Sequence, residues 1–145
     1  MDSASNPRTI IALDYGEKRI GIAIGNTASR LPSPLMTLAN NENTLQALTE
    51  LLGQHNADAL VVGVPRGLKG QETPQTLLIR EFIELLKKSF SVLIYSQDED
   101  LSSVRAEKEL KERKIRYNKQ SVDALAATYI LEDFFKEHPE THDDI

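Results

Sequence analysis

The stretch Thr9 to Gly25, TIIALDYGEKRIGIAIG, constrains this chain more than any other, because it reads as an apolar strand, a short polar turn and a second strand. From Ile10 to Tyr15 the side chains alternate, so Ile10, Ala12 and Asp14 share one face while Ile11, Leu13 and Tyr15 share the other. Asp14 therefore ends an otherwise apolar row. Gly16-Glu17-Lys18-Arg19 is a polar connection, and Ile20 to Gly25 resumes extended structure, which makes the whole a hairpin. Its second strand sets Ile20, Ile22 and Ile24 on one face and only Gly21, Ala23 and Gly25 on the other, where a helix, a backbone or a ligand can come close. Alone, Asp14 reads as a turn carboxylate bonded to a nearby amide. Acidic residues at two later junctions give it a functional reading.

Beyond the hairpin, Asn26 to Pro34 reads as a loop and Leu35 to Leu38 as a short third strand. Asn41-Glu42-Asn43-Thr44 offers capping chemistry for a helix carrying Leu45, Leu48, Leu51 and Leu52 up to Gly53. Asp58 to Val64 is a continuous apolar run, the pattern of a central parallel strand covered on both faces. Pro65 to Pro74 is a basic loop rich in glycine and proline. From Gln75 to Phe90 the residues Leu77, Leu78, Phe82, Leu85 and Leu86 recur at helical spacing, with Lys87 and Lys88 where the dipole favours cations. Ser91 to Tyr95 reads as a short buried strand leading into Gln97-Asp98-Glu99-Asp100, the second acidic junction.

Asp100 or Ser102 can cap a third helix carrying Leu101, Val104, Ala106 and Leu110 to about Arg113. A last helix, with Ser121 as its N-cap, buries Val122, Leu125, Ala126, Tyr129, Ile130 and Phe134. Asp123 then lies in its first turn, where an acid suits the helix dipole without further function. It also continues the inward stripe of Ala126, Ala127, Ile130 and Phe134, which a solvent ornament would not. The order of elements predicts an α/β fold: a mixed sheet with right-handed crossovers and helices on both faces.

A chain of 145 residues with 40% hydrophobic and 27% charged content suits one domain. We place it at residues 9–137, with an extended or disordered start at 1–8 and an acidic tail at 138–145. Cysteine is absent, so any metal must sit on oxygen or imidazole. The first residues lack an apolar signal core, and no window approaches the ~20 apolar residues of a membrane span. The expectation is a cytoplasmic protein without a membrane partner. A net charge of -5 weighs against nucleic-acid binding through overall charge. Its distribution is uneven, however: Arg105 to Lys119 holds seven basic residues against three acidic ones, either a solvated helix face or a phosphate-contacting patch.

Three separated pieces, ALDYGEKRIGIAIG, YSQDEDLSS and SVDALAATYILE, together with VVGVPRGLKGQETPQT, resemble the YqgF family, also called RuvX. That family is described as Holliday junction resolvases and as nucleases processing the 5′ end of the 16S ribosomal RNA precursor. The resemblance runs from about Ile10 to Phe135. It implies a ribonuclease H-like fold in which Asp14, Glu99 and Asp123 match the catalytic acids and hold Mg²⁺ or Mn²⁺. Phosphodiester cleavage in that fold class uses hard cations on carboxylate oxygens, two of them ~3.5–4 Å apart, so three carboxylates from three elements are suitable material. Asp98 and Asp100 are rivals to Glu99, which matches the motif position; the family's arginine after that glutamate is here Asp100.

Lys18, Arg19, Arg66 and Lys69 sit in loops able to hold a nucleic-acid backbone, and Lys119 closes the basic stretch. The implied partner is nucleic acid, either precursor ribosomal RNA or branched DNA, and the protein a monomer or a homodimer, since a resolvase needs two active sites. A non-catalytic nucleic-acid or ribosome-associated module of the same fold is the competing class, which the low pI and Asp100 would suit. The same Asp-x-Gly hairpin also opens the sugar kinase and actin-like ATPases, which need a second lobe that 145 residues do not supply.

Overall fold

Alternation along the strands divides the apolar residues between two layers. Ile11, Leu13, Ile20, Ile22, Leu60, Val62 and Val64 belong to one buried cluster, and Ile10, Ala12, Ala23, Ala59 and Val61 to another. In the computed structural model, which describes residues 6–65, 73–99, 102–113 and 119–138, these are the two faces of one five-stranded sheet. The elements in chain order are β1 (Thr9–Tyr15), β2 (Arg19–Asn26), β3 (Ser33–Ala39), α1 (Thr44–His55), β4 (Ala59–Pro65), α2 (Pro74–Ser89), β5 (Leu93–Glu99), α3 (Ser102–Glu112) and α4 (Lys119–Glu137). The strand order is β3-β2-β1-β4-β5, with β1/β2 and β2/β3 antiparallel and β1/β4 and β4/β5 parallel.

Helices α1 and α2 cover the first face through Leu48, Leu51, Leu52, Ile79, Phe82, Ile83 and Leu86. Helix α4 covers the second through Ala127, Ile130, Leu131, Phe134 and Phe135. A fully buried side chain the size of Phe134 contributes ~1.5–3 kcal/mol over its exposed state. The C-terminal end of α4 is fastened by Arg30, whose guanidinium donates to the carbonyl oxygens of Phe135 and His138 and lies 5.0 Å from the centre of the Phe135 ring. A cation there also suits the helix dipole. Helix α3 rests on α4, with Ala106 buried and the Tyr129 hydroxyl bonded to Glu109. No described helix is long and apolar enough to cross a membrane.

The mixed sheet, the hairpin and the central β4 follow the sequence reading, while four local expectations do not. In α2 the buried face is Thr76, Ile79, Phe82, Ile83 and Leu86, and Leu77 and Leu85 are 51% and 44% exposed. Both stripes have helical spacing, and contact with the sheet selects the one carrying the β-branched Ile79 and Ile83. This helix begins with a capping box in which Thr73 N donates to Thr76 Oγ1 (2.8 Å) and Thr73 Oγ1 accepts from Thr76 N (3.3 Å). Strand β5 starts later than Ser91, extends to Glu99 and lies at the sheet edge, so Leu93 is half exposed instead of buried. Ser121 is not an N-cap, because α4 already starts at Lys119, and Asp123 falls beyond the first turn. At α1 the capping residues bond one another: Asn41 N donates to Thr44 Oγ1, and Asn43 makes no side-chain cap. Of the expected termini at 1–8 and 138–145, residues 1–5 and 139–145 lie outside the described residues, as do Asp100 and Leu101.

Candidate active site

Asp14 occupies the last turn of alternation before β1 ends, on the face that α4 covers. Its partner across the hairpin is Gly21. On the other side the parallel register pairs Leu13 with Val62, so Gly63 is the next residue along β4. Asp14 is thus flanked by two positions without side chains. At Gly21 the space is taken by α4: a Cβ there would stand 2.0 Å from the carbonyl oxygen of Asp123. At Gly63 it is taken by Ile130 and Glu99, since a Cβ would lie 2.4 Å from Ile130 Cδ1 and 3.1 Å from Glu99 Oε1.

Glu99 ends β5 opposite Pro65 and shares a face with Tyr95, which packs in the α4 layer. It is only 8% exposed, whereas the neighbouring Asp98 alternates to the other side and is exposed. The strand therefore brings Glu99, and not Asp98, towards Asp14; Asp100 lies outside the described residues. Asp123 reaches the same end of the sheet from α4 and accepts a hydrogen bond from Arg19 Nε at 2.8 Å. The Asp14 carboxyl is pushed well above the usual carboxylate range, first by loss of water around it, then by the charges of Glu99 and Asp123. Asp14 on β1 thus feels the acids of both β5 and α4.

This donor set fits a divalent cation: hard carboxylate oxygens from three elements, with Glu99 Oε2 shut off from water and accepting no hydrogen bond among the described residues. Among those residues no three acids or histidines are gathered closely enough to grip one ion. Repulsion between like charges opposes closer approach, and one oxygen of Asp123 is turned to Arg19.

Of the cations expected to meet substrate, Lys18 is exposed in the β1–β2 turn, and Arg19 is half-buried against Asp123. Arg66 and Lys69 lie outside the described residues, and Lys119 opens α4 with its side chain outside them. The sequence reading passed over Gly63. A glycine inside the unbroken apolar run ALVVGVP was the available signal, because such a residue weakens a strand unless something needs its space.

A mixed five-stranded sheet with an antiparallel hairpin at one side, parallel strands at the other and a helix covering the face that carries Asp14 is a ribonuclease H-like fold. The chain is similar to RuvC of Thermus thermophilus bound to a Holliday junction substrate, with a TM-score of 0.55 at 13% identity over 92% of this chain and 98% of that one. It is likewise similar to the fowlpox virus Holliday junction resolvase, with a TM-score of 0.51 at 14% identity over 90% and 99% of the two chains. The chain belongs to the RuvX family, whose model, described as Holliday junction resolvase, matches residues 8–137. Relatives named "Putative pre-16S rRNA nuclease" include one from Amoebophilus asiaticus, 38% identical over 89% of this chain and 94% of its own length. Another, from Burkholderia vietnamiensis, is 37% identical over 93% of each.

Proposed function

We propose that this nuclease hydrolyses phosphodiester bonds of precursor 16S ribosomal RNA near its 5′ end, with Asp14, Glu99 and Asp123 as the catalytic, cation-holding residues. The observation that supports this reading is that Glu99 and Asp123 lie near enough to Asp14, on the α4 face of the sheet, for their charges to add to burial in pushing its carboxyl upward. A carboxyl held so that it resists ionisation has a reason to exist if a cation completes the site. Mg²⁺ or Mn²⁺ supplies the positive charge and Lewis acidity that phosphodiester hydrolysis requires.

The chain's own residues divide the remaining work. Gly21 and Gly63 leave room for α4 and for Glu99 beside Asp14. Lys18, exposed at the hairpin turn, is in this reading a phosphate contact that carries no sequence information. Arg66, Lys69 and Lys119 are further backbone contacts in this reading, and the protein acts in the cytoplasm as a monomer or homodimer. The names of relatives 37–38% identical over nearly their full length support ribosomal RNA as substrate. The family description supports the second reading, a DNA four-way junction.

The test is cleavage of matched precursor RNA and four-way junction DNA with Mg²⁺ or Mn²⁺, beside an Asp14→Asn protein. RNA cleavage that vanishes in the variant is the expected result. Junction cleavage alone selects the second reading, and no cleavage of either by a folded, metal-loaded protein leaves a non-catalytic binding module.

A further inference from the structure

Arg19 opens β2 and Asp123 sits on α4, 104 residues later, yet Arg19 Nε and Asp123 Oδ2 are 2.8 Å apart. The side chains retain 32% and 20% of their exposure, so the pair is partly screened by protein and lies at the mouth of the acidic site. Its geometry is fixed from both ends. The hairpin sets Arg19 two residues before Gly21, and Gly21 is the residue whose missing side chain admits the Asp123 backbone. The contact is therefore built by the same feature that brings α4 to the sheet.

An ordinary surface ion pair adds little and explains little. This one is different in what surrounds it. Asp123 belongs to a group of three carboxylates, and Arg19 places a positive charge among them. A guanidinium does not give up its proton at any working pH, so it can leave Asp123 only by moving. A divalent cation held by the same carboxylate competes with it for the oxygen. A guanidinium displaced at the mouth of a nuclease site is then suited to a phosphate, two of whose oxygens its planar donor fork can bond at once.

Resting on the reading of these acids as a cation site, we propose that Arg19 is a positioning residue serving as the resident counter-ion of Asp123. Cation loading frees its guanidinium for the substrate phosphate, so that cation and nucleic acid bind cooperatively through Arg19. Arg19 is in this account neither a fixed brace nor a permanent phosphate contact.

The experiment compares parent, Arg19→Gln and Arg19→Lys proteins, each checked for folding by its melting curve. Mn²⁺ affinity is read from the free-Mn²⁺ paramagnetic resonance signal without nucleic acid. Affinity for a fluorescein-labelled stem-loop RNA is read by anisotropy with and without Ca²⁺. Removing the competitor should tighten Mn²⁺ binding in Arg19→Gln by about 3- to 10-fold, the scale of one ordinary hydrogen bond in a partly exposed pair. Arg19→Lys, which keeps charge but not the fork, should fall between, and answers alone if the Gln protein does not fold. Ca²⁺ should raise RNA affinity in the parent and far less in Arg19→Gln. Mn²⁺ affinity equal to or below the parent's in a folded variant overturns the proposal, as does an unchanged Ca²⁺ effect on RNA binding. If neither RNA nor junction is cleaved while these shifts are found, the nuclease reading fails and the role of Arg19 stands.

Discussion

Gly21 and Asp123 meet backbone to backbone: a Cβ on Gly21 would stand 2.0 Å from the Asp123 carbonyl oxygen and 2.3 Å from its carbonyl carbon. Neither atom can swing aside as a side-chain tip can. The same contact that packs α4 on β2 thus fixes where the Asp123 carboxylate enters the site, and fold and chemistry depend on one missing methyl group.

Gly21→Ala should therefore push α4 from the sheet, costing ~1–3 kcal/mol as overpacking does, and should lower cleavage much more than the stability loss explains. Gly53, in α1, has nothing within 4 Å of its would-be Cβ, and Gly53→Ala should stabilise by ~0.5–1 kcal/mol through helix propensity. Urea titrations of the two variants check the pair. A neutral Gly21→Ala would mean that α4 does not approach β2 so closely.

The contrast between Leu85 and Leu86 tests which face of α2 is buried. Leu86 is wholly enclosed, so Leu86→Ala should cost ~2–5 kcal/mol, while Leu85→Ala should stay within ~0.5 kcal/mol. Equal losses on chemical denaturation would restore the stripe read from the sequence.

That stripe shows what sequence can and cannot carry. Alternation in β1 and β2 assigned the apolar residues of Ile10 to Tyr15 and of Ile20 to Ile24 to their faces, because a one-residue slip would have driven isoleucines into the space that Gly21 and Ala23 leave for α4. The acids were legible through their junctions and through the family motifs. In α2, by contrast, Leu77, Leu78 and Leu85 compete with Ile79 and Ile83 for the same period, and only the position of β4 and β5 decides. Strand β5 looked buried because its residues are apolar, but an edge strand has one neighbour and keeps Leu93 partly in water. The pairing of Arg19 with Asp123 spans 104 residues, beyond the reach of any local pattern.

Asp14 should make stability depend on pH in a defined direction. Its unfolded-state carboxyl titrates near ~3.9, and the folded value is raised. Between those values the folded protein holds a proton that the unfolded chain has shed, so stability falls as pH rises and the full cost is present above the folded value. Asp14→Asn removes that dependence. In chelator, the variant should match the parent below pH 4 and exceed it by ~0.5–2 kcal/mol at neutral pH. A gap that is constant with pH, or that favours the parent, would mean that Asp14 is a turn carboxylate satisfied by backbone amides.

Cation loading should reverse that ranking. A ligand bound only by the folded state stabilises it by RT ln(1 + [L]/Kd), ~2.7 kcal/mol at a hundredfold excess over Kd. Millimolar Mg²⁺ or Mn²⁺ should thus raise the parent's melting temperature clearly and that of Asp14→Asn little, because one of the three carboxylates proposed to hold the cation has become a neutral amide. Cleavage should follow Mg²⁺ and Mn²⁺ but not Ca²⁺, whose longer and less regular coordination holds reacting oxygens poorly in line. Ca²⁺ should nevertheless stabilise the parent, since binding asks only for charge and oxygen ligands. Melting curves and cleavage assays in each ion, against chelator, separate these effects. Turnover in Ca²⁺ equal to that in Mg²⁺, or activity surviving excess chelator, would remove the cation from the reaction. A melting temperature raised equally in Asp14→Asn would remove Asp14 from the cation's ligands.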